Sequence, residues 1–279
     1  MASPTVAVIG LGLIGGSVAR ALSARGVRVV GFDRNRASVD AAMSEHGIES
    51  ELDDELNGIA SADIIVLALP GDAAREIIPR LARLSTHATL VTDVGSAKQL
   101  VVQAAEAAGM GPRFVGSHPL AGDHRSAWQS SRADMFQGER VFLCPASTTR
   151  REAIQAAEDF WISLGAIPTT MDALSHDTRM AWLSHLPHVL STALALTLRD
   201  AGLTRSELGR GGRDLTRLAG SSPEMWSAIA LENGFAIAAA ISSFEQHLEE
   251  LKTAVVAANP ASFKASFAAG REWFAEGSG

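Results

Sequence analysis

One cysteine, Cys144, stands among 279 residues, so the chain can build neither an internal disulfide nor a multi-cysteine metal site. A reducing compartment, the cytoplasm, is expected. Positive charge is also scarce: 24 Lys and Arg face 31 Asp and Glu, a net charge of −7. That balance argues against a general electrostatic grip on nucleic acid or an anionic membrane, so any anionic ligand must be held locally. Nowhere is there an apolar run of the roughly 18 residues a membrane helix needs, nor a basic leader ahead of a short apolar stretch. Met1, Ala2, Ser3 and Pro4 lead straight into a strand pattern, and neither export nor membrane spanning is expected. What is present is 47% hydrophobic and 20% charged residues, the balance of a folded globular protein. At about 150 residues per domain, two compact units fit this length.

The first half alternates short β-branched runs with amphipathic helical stretches, the pattern of βαβ units in a parallel sheet. Strands are predicted over residues 5–9, 27–32, 62–69 and 88–94, followed by 113–117, 140–144 and 166–171. The continuous run Ile64, Ile65, Val66, Leu67, Ala68, Leu69 suits a central strand covered by helices on both faces. After about Asp172 the β pattern stops. The rest is rich in Ala and Leu at helical spacing, broken at Gly202, at 209–212, at Pro223 and at Pro260. An α/β domain over 1–170 and an all-helical domain over 171–279 are therefore expected. A bundle of about 107 residues with so much Ala is short of burial, and pairing with a second copy would supply it.

Gly10, Gly12 and Gly15 form a G-x-G-x-x-G directly after the first strand and at the mouth of a helix running through Ala24. Gly10 suits the tight turn, Gly12 lets backbone N–H groups approach a pyrophosphate, and Gly15 lets helix and strand pack closely. The second strand ends in Asp33, 23 positions after Gly10, close to the spacing of a ribose-binding carboxylate. An Asp there repels a 2′-phosphate, so NAD is expected over NADP, against which Arg34 and Arg36 weigh as residues able to tolerate that phosphate. Leu13, Ile14, Arg34 and Pro70 join the glycines and Asp33 as expected cofactor contacts.

Ligands of an open α/β sheet sit outside the carboxyl ends of the strands, which draws attention to 92–98 (TDVGSAK) and 115–122 (VGSHPLAG). Pro119 biases His118 toward an extended backbone at a strand exit, where a neutral imidazole can take a proton from a substrate hydroxyl. Ser96 can hydrogen-bond the same oxygen. A satisfied structural histidine is the alternative.

His185 and His188, in SHLPH, are three apart and share a helix face. Nothing at a suitable spacing completes a zinc site, so substrate contact is the better reading and no metal is expected. Arg210, Arg213 and Arg217 crowd a local positive potential into an acidic protein. Arg213 and Arg217 would share a face if a helix begins after the glycines, and guanidinium forks suit carboxylates. A solvated or interface-pairing cluster is the alternative. Trp182, Met225 and Trp226 read as packing residues.

Together GLGLIGGS, TDVGSAK, GSHPLAG, SHLPH and RDLTRLAGSSPEMW with the nearby LEN resemble the prephenate/arogenate dehydrogenase family of tyrosine biosynthesis over nearly the whole chain. The resemblance implies a Rossmann-like, doubly wound parallel sheet, a helical dimerisation domain and a cleft between them. It implies oxidative decarboxylation: hydride leaves ring C4 for the nicotinamide, the ring carboxylate departs as CO2, and the ring becomes aromatic. His118 matches the catalytic histidine that accepts a hydrogen bond from the ring 4-hydroxyl, and Ser96 the serine that orients it. Arg217 matches the carboxylate-binding arginine, His185 and His188 the pair lining the pocket, and Trp226 an aromatic near it, contributed across a dimer or packing within one chain. After HPLAG many relatives continue with an acidic residue, lysine and serine; here Asp123, His124, Arg125 and Ser126 follow. His124 points to the 2-oxo side chain of prephenate and Asp123 to the ammonium of arogenate, so either substrate, or an aminated prephenate analogue, fits. The chain starts at the first strand and ends soon after the helical stretch, so no appended regulatory or chorismate mutase domain is expected, and any feedback by tyrosine would act at the active site itself. A β-hydroxyacid dehydrogenase or imine reductase shares the two-domain plan, and a catalytically silent NAD-sensing dimer is the non-enzyme alternative.

Overall fold

The computed structural model describes residues 4–84, 87–122 and 127–276. Eight strands form one sheet: β1 (Thr5–Ile9), β2 (Arg28–Phe32), β3 (Ser50–Glu51), β4 (Ile64–Leu67), β5 (Leu90–Asp93), β6 (Phe114–Pro119), β7 (Arg140–Pro145) and β8 (Ile167–Thr170). Their order is β3-β2-β1-β4-β5-β6-β7-β8, so β4 lies centrally, as its unbroken apolar run requires. Alternation along each strand splits the core in two. Val6, Val8 and Val66 face α1 (Leu13–Ser23), α2 (Arg36–Ser44) and α5 (Arg151–Ser163), while Ala7, Ile9, Ile65 and Leu67 face α3 (Gly71–Leu84) and α4 (Gln99–Ala107). This is a doubly wound sheet.

Two features depart from the sequence reading. β3 is a polar two-residue edge strand that carries no hydrophobic signal. β7 runs antiparallel to β6, so the sheet is mixed. A parallel return needs a long crossover, usually helical, and among the described residues between β6 and β7 the only helical element is the single turn Trp128–Ser130.

The helical lobe begins at α6 (Ala173–Met180), capped by Asp172, whose side chain accepts the N–H of Ser175 at 2.8 Å. α6 runs through a π turn, Ala181–His185, into α7 (Leu186–Asp200). Pro187 has no N–H to return to the carbonyl of Leu183, and the widened turn lies just before it. α8 (Arg210–Leu215), α9 (Pro223–Glu232), α10 (Gly234–Val256) and α11 (Pro260–Glu276) follow. α8 starts before Gly211 and Gly212, and Arg217 falls in a separate turn, Arg217–Gly220, so Arg213 and Arg217 do not share a helix face as expected. The Thr216 hydroxyl donates back to the Gly212 carbonyl at 2.8 Å and marks that end.

This lobe's core is small, centred on Ala181, Ile229, Ile237 and Ala240. Phe235 is 93% and Leu231 81% exposed. Trp182 and Met225 are also exposed, so within one chain they are not the packing residues anticipated. Among the described residues no single helix is long and apolar enough to cross a membrane.

Candidate active site

At the carboxyl end of β1 the chain turns through Gly10 at φ +97°, where a Cβ would lie 2.2 Å from the Ala68 carbonyl oxygen. Gly15 is as constrained: its Cβ would meet the Gly10 carbonyl oxygen at 1.9 Å. Only glycine fits either place. Gly12 is different, because a Cβ there would meet no protein atom within 4 Å. Its backbone borders open space at the N-terminus of α1, the surroundings a diphosphate needs. Leu13 and Ile14 follow, half-buried beside Gly122. Pro70 is exposed where β4 gives way to α3.

Asp33 leaves β2 with its carboxylate accepting the N–H of Leu11 at 2.6 Å and of Asn35 at 2.7 Å, which pins the glycine loop. The Arg36 guanidinium is engaged by Asp40 at 2.9 Å and Glu51 at 2.5 Å, while Arg34 is exposed. Of the two arginines that could greet a 2′-phosphate, one is therefore already paired.

His118 lies half-buried at the exit of β6. Burial lowers its pKa well below the ordinary histidine value, and the neighbouring His176, Lys98 and His185 lower it further, so the imidazole is neutral. Its Nδ1 is 2.9 Å from His176 Nε2, and His176 Nδ1 is 2.7 Å from Asp177 Oδ1. Asp177 also accepts the backbone N–H groups of Lys98 at 2.7 Å and Gln99 at 2.8 Å. Lys98 is fully buried, its ammonium bound to Asp93 and, at 2.8 Å, to the Ser117 carbonyl. Ser96 is half-buried on the same loop.

In the helical lobe, Asn233 Nδ2 donates to the Asp177 carbonyl at 2.7 Å and lies 3.2 Å from His185 Nδ1. The carbonyl fixes that end of the amide as nitrogen, so His185 Nδ1 is the acceptor and its Nε2 carries the hydrogen. Burial pushes the His185 pKa down to about 4. Trp226 meets His185 edge-on, with ring centroids 5.7 Å apart, and stacks on His188 at 4.1 Å. Burial, with the charge of Arg217 adding to it against a Leu218 backbone hydrogen bond, also lowers the His188 pKa.

Contacts thus join His185, Trp226 and His188, hydrogen bonds through His176, Asp177 and Asn233 connect His185 to His118, and the charge of Arg217 is felt at His188. Arg217 is exposed and lines a cavity of about 500 Å³ with Thr204, Arg205 and Thr216, a cavity that His118 does not line. Arg213 is exposed on α8, and His124 lies outside the described residues. His176 and Asp177 escaped the sequence reading, and Asn233, the last residue of the LEN stretch, was given no role in it. For His176 and Asp177 the only signal is polarity at positions that turn out 0% and 1% exposed, and Asn233 is 6% exposed.

An order of β3-β2-β1-β4-β5-β6 with a glycine turn at the switch point defines a nucleotide-binding α/β protein. A neutral histidine where a helical lobe adjoins the sheet is an arrangement that suits a two-domain dehydrogenase. The comparisons agree. Residues 18–168 match the family described as prephenate dehydrogenase, nucleotide-binding domain, and residues 172–269 its dimerization domain. The prephenate dehydrogenase of Bacillus subtilis (strain 168) is 30% identical, across 90% of this chain and 70% of that protein. The cyclohexadienyl dehydrogenase of Zymomonas mobilis is 32% identical, across 90% and 88%. A crystal structure of prephenate dehydrogenase from Aquifex aeolicus with hydroxyphenyl propionate and NAD+ superposes with a TM-score of 0.90 at 30% identity, covering 99% of each chain. The chain belongs to the prephenate dehydrogenase family and is an oxidoreductase.

Proposed function

We propose that the chain catalyses the NAD-dependent oxidative decarboxylation of prephenate to 4-hydroxyphenylpyruvate, in tyrosine biosynthesis, as a cytoplasmic homodimer. The observation that carries this reading is His118, neutral at the sheet's carboxyl edge, the same edge that carries the glycine loop, and within electrostatic reach of His185. Bound at Gly10, Gly12 and Gly15, with Leu13, Ile14, Asp33, Arg34 and Pro70 around it, NAD supplies a hydride acceptor. His118 accepts the proton of the ring hydroxyl, and Ser96 hydrogen-bonds that oxygen. As the C4 carbinol is oxidised, CO2 leaves and the ring becomes aromatic. Arg217 binds a carboxylate, with Arg213 as a second cation, while His185, His188, Trp226 and His124 surround the substrate.

The nucleotide domain spans 1–170 and the helical domain 171–279. Pairing of two helical lobes would cover Leu231 and Phe235, and the match to a dimerization domain supports it. Reduction of NAD and of NADP, each with prephenate and with arogenate, tests the activity. NADH formation from prephenate is expected. No reduction in any pairing, nor with aminated prephenate, would favour a nucleotide-sensing dimer, and a monomer in light scattering would remove the assembly.

A further inference from the structure

The chain His118, His176, Asp177 has a direction that the chemistry of its members dictates. Asp177 receives two backbone N–H groups, one on each oxygen, so both oxygens already serve as acceptors. His176 Nδ1, 2.7 Å from Oδ1, is then the donor. When His176 carries a single hydrogen, on Nδ1, its Nε2 is bare and can only accept. His118 Nδ1, 2.9 Å away, must therefore donate, and the hydrogen of neutral His118 resides there. Nε2 of His118 is left as a lone pair.

We propose that His176 and Asp177 are positioning residues that lock His118 in the Nδ1–H tautomer, so that its Nε2 always meets the substrate hydroxyl as a proton acceptor. This rests on the reaction proposed above. Without the lock, His118 could place its hydrogen on Nε2 and would then present a donor where the reaction needs a base. The surroundings suit a fixed geometry. His176 is fully buried, its ring edge-on to His118 at 5.1 Å and to Phe142 at 5.5 Å. The charged and titratable groups facing this pair are Asp177 from α6, Lys98 and Asp93 from the β5–α4 segment, and His185 from the π turn. Asn233 meanwhile leaves His185 with the opposite tautomer. One polar network centred on Asp177 thus sets one histidine to accept and the other to donate.

Two variants and one spectrum test this. His176→Phe keeps the ring packing and removes the acceptor; His176→Gln sacrifices the packing and keeps a carbonyl oxygen that can accept from Nδ1. Turnover of the Phe variant should fall about 10²-fold with KM and NAD affinity little changed, while the Gln variant stays within about tenfold of the parent. A packing role would give the reverse order. Nitrogen NMR of histidine-labelled full-length protein, with the His118 signal assigned from His118→Asn, should show hydrogen on Nδ1 and none on Nε2. This readout requires neither turnover nor a folded His176 variant. Hydrogen on Nε2 of His118, or equal turnover in the two variants, overturns the lock. Failure of the parent protein to oxidise prephenate while the Nδ1–H tautomer is present would instead refute the proposed reaction.

Discussion

Asp177, in the first helix after the sheet, accepts the backbone N–H of Lys98, at the end of the loop after β5, at 2.7 Å. With the neighbouring bond from the Gln99 N–H, this bond ties the helical lobe to the loop that carries Ser96. It joins residues 79 positions apart and holds the site's two halves in register.

Replacing His118 by Asn should lower turnover by roughly 10²- to 10⁴-fold, the range for a lost general base. NAD affinity, measured by calorimetry, should persist because the glycine loop is untouched. Near-parental turnover would remove His118 from its role.

Gly12 and Gly15 should behave oppositely. Gly15→Ala drives a methyl into the Gly10 carbonyl at 1.9 Å, and the melting temperature should fall by several degrees. Gly12→Ala meets no protein atom, so stability should change by less than about 1 kcal/mol, yet NAD affinity should fall at least about tenfold. Unaltered affinity in the Gly12 variant would place the diphosphate elsewhere.

Acid should destabilise the fold before it protonates the site. His185 is held neutral down to about pH 4 in the native state, against 6.5 as the ordinary value. The unfolded chain therefore binds more protons between these limits, and stability falls as pH drops from about 6.5 toward 4, by no more than about 3 kcal/mol. His118, shifted the same way, should keep the acidic limb of kcat/KM below the ordinary histidine range. Thermal melts at a series of pH values check the first part. Melting temperatures independent of pH across that window would contradict a buried neutral His185.

Arg217 is exposed, and Arg217→Ala should leave the melting temperature within a degree or two. With a carboxylate left unpaired, kcat/KM for prephenate should fall about 10²-fold. Steady-state kinetics that match the parent would return Arg217 to the surface or to an interface.

Strands β1, β2 and β4 were readable because each buries an apolar run. The stretch 5–9 matches β1 residue for residue, and 27–32 and 62–69 frame β2 and β4 within two residues at each end. Strand β3 and the reversal at β7 were not readable, since one is two polar residues and the other depends on what the chain does between residues 119 and 140. Arg213 and Arg217 show the limit of spacing arguments: four residues apart, they are separated by a helix end that Thr216 makes.

Composition and local pattern by themselves determined the α/β plan, the glycine turn and the strand-exit histidine, because each follows from backbone sterics and apolar periodicity within a few neighbouring residues. Which partner orients that histidine was decided only by folding. His118 and His176 are 58 positions apart, and no local preference couples them. They meet because the sheet delivers β6 beside the start of α6, in an interior where an unpaired polar group is too costly to leave.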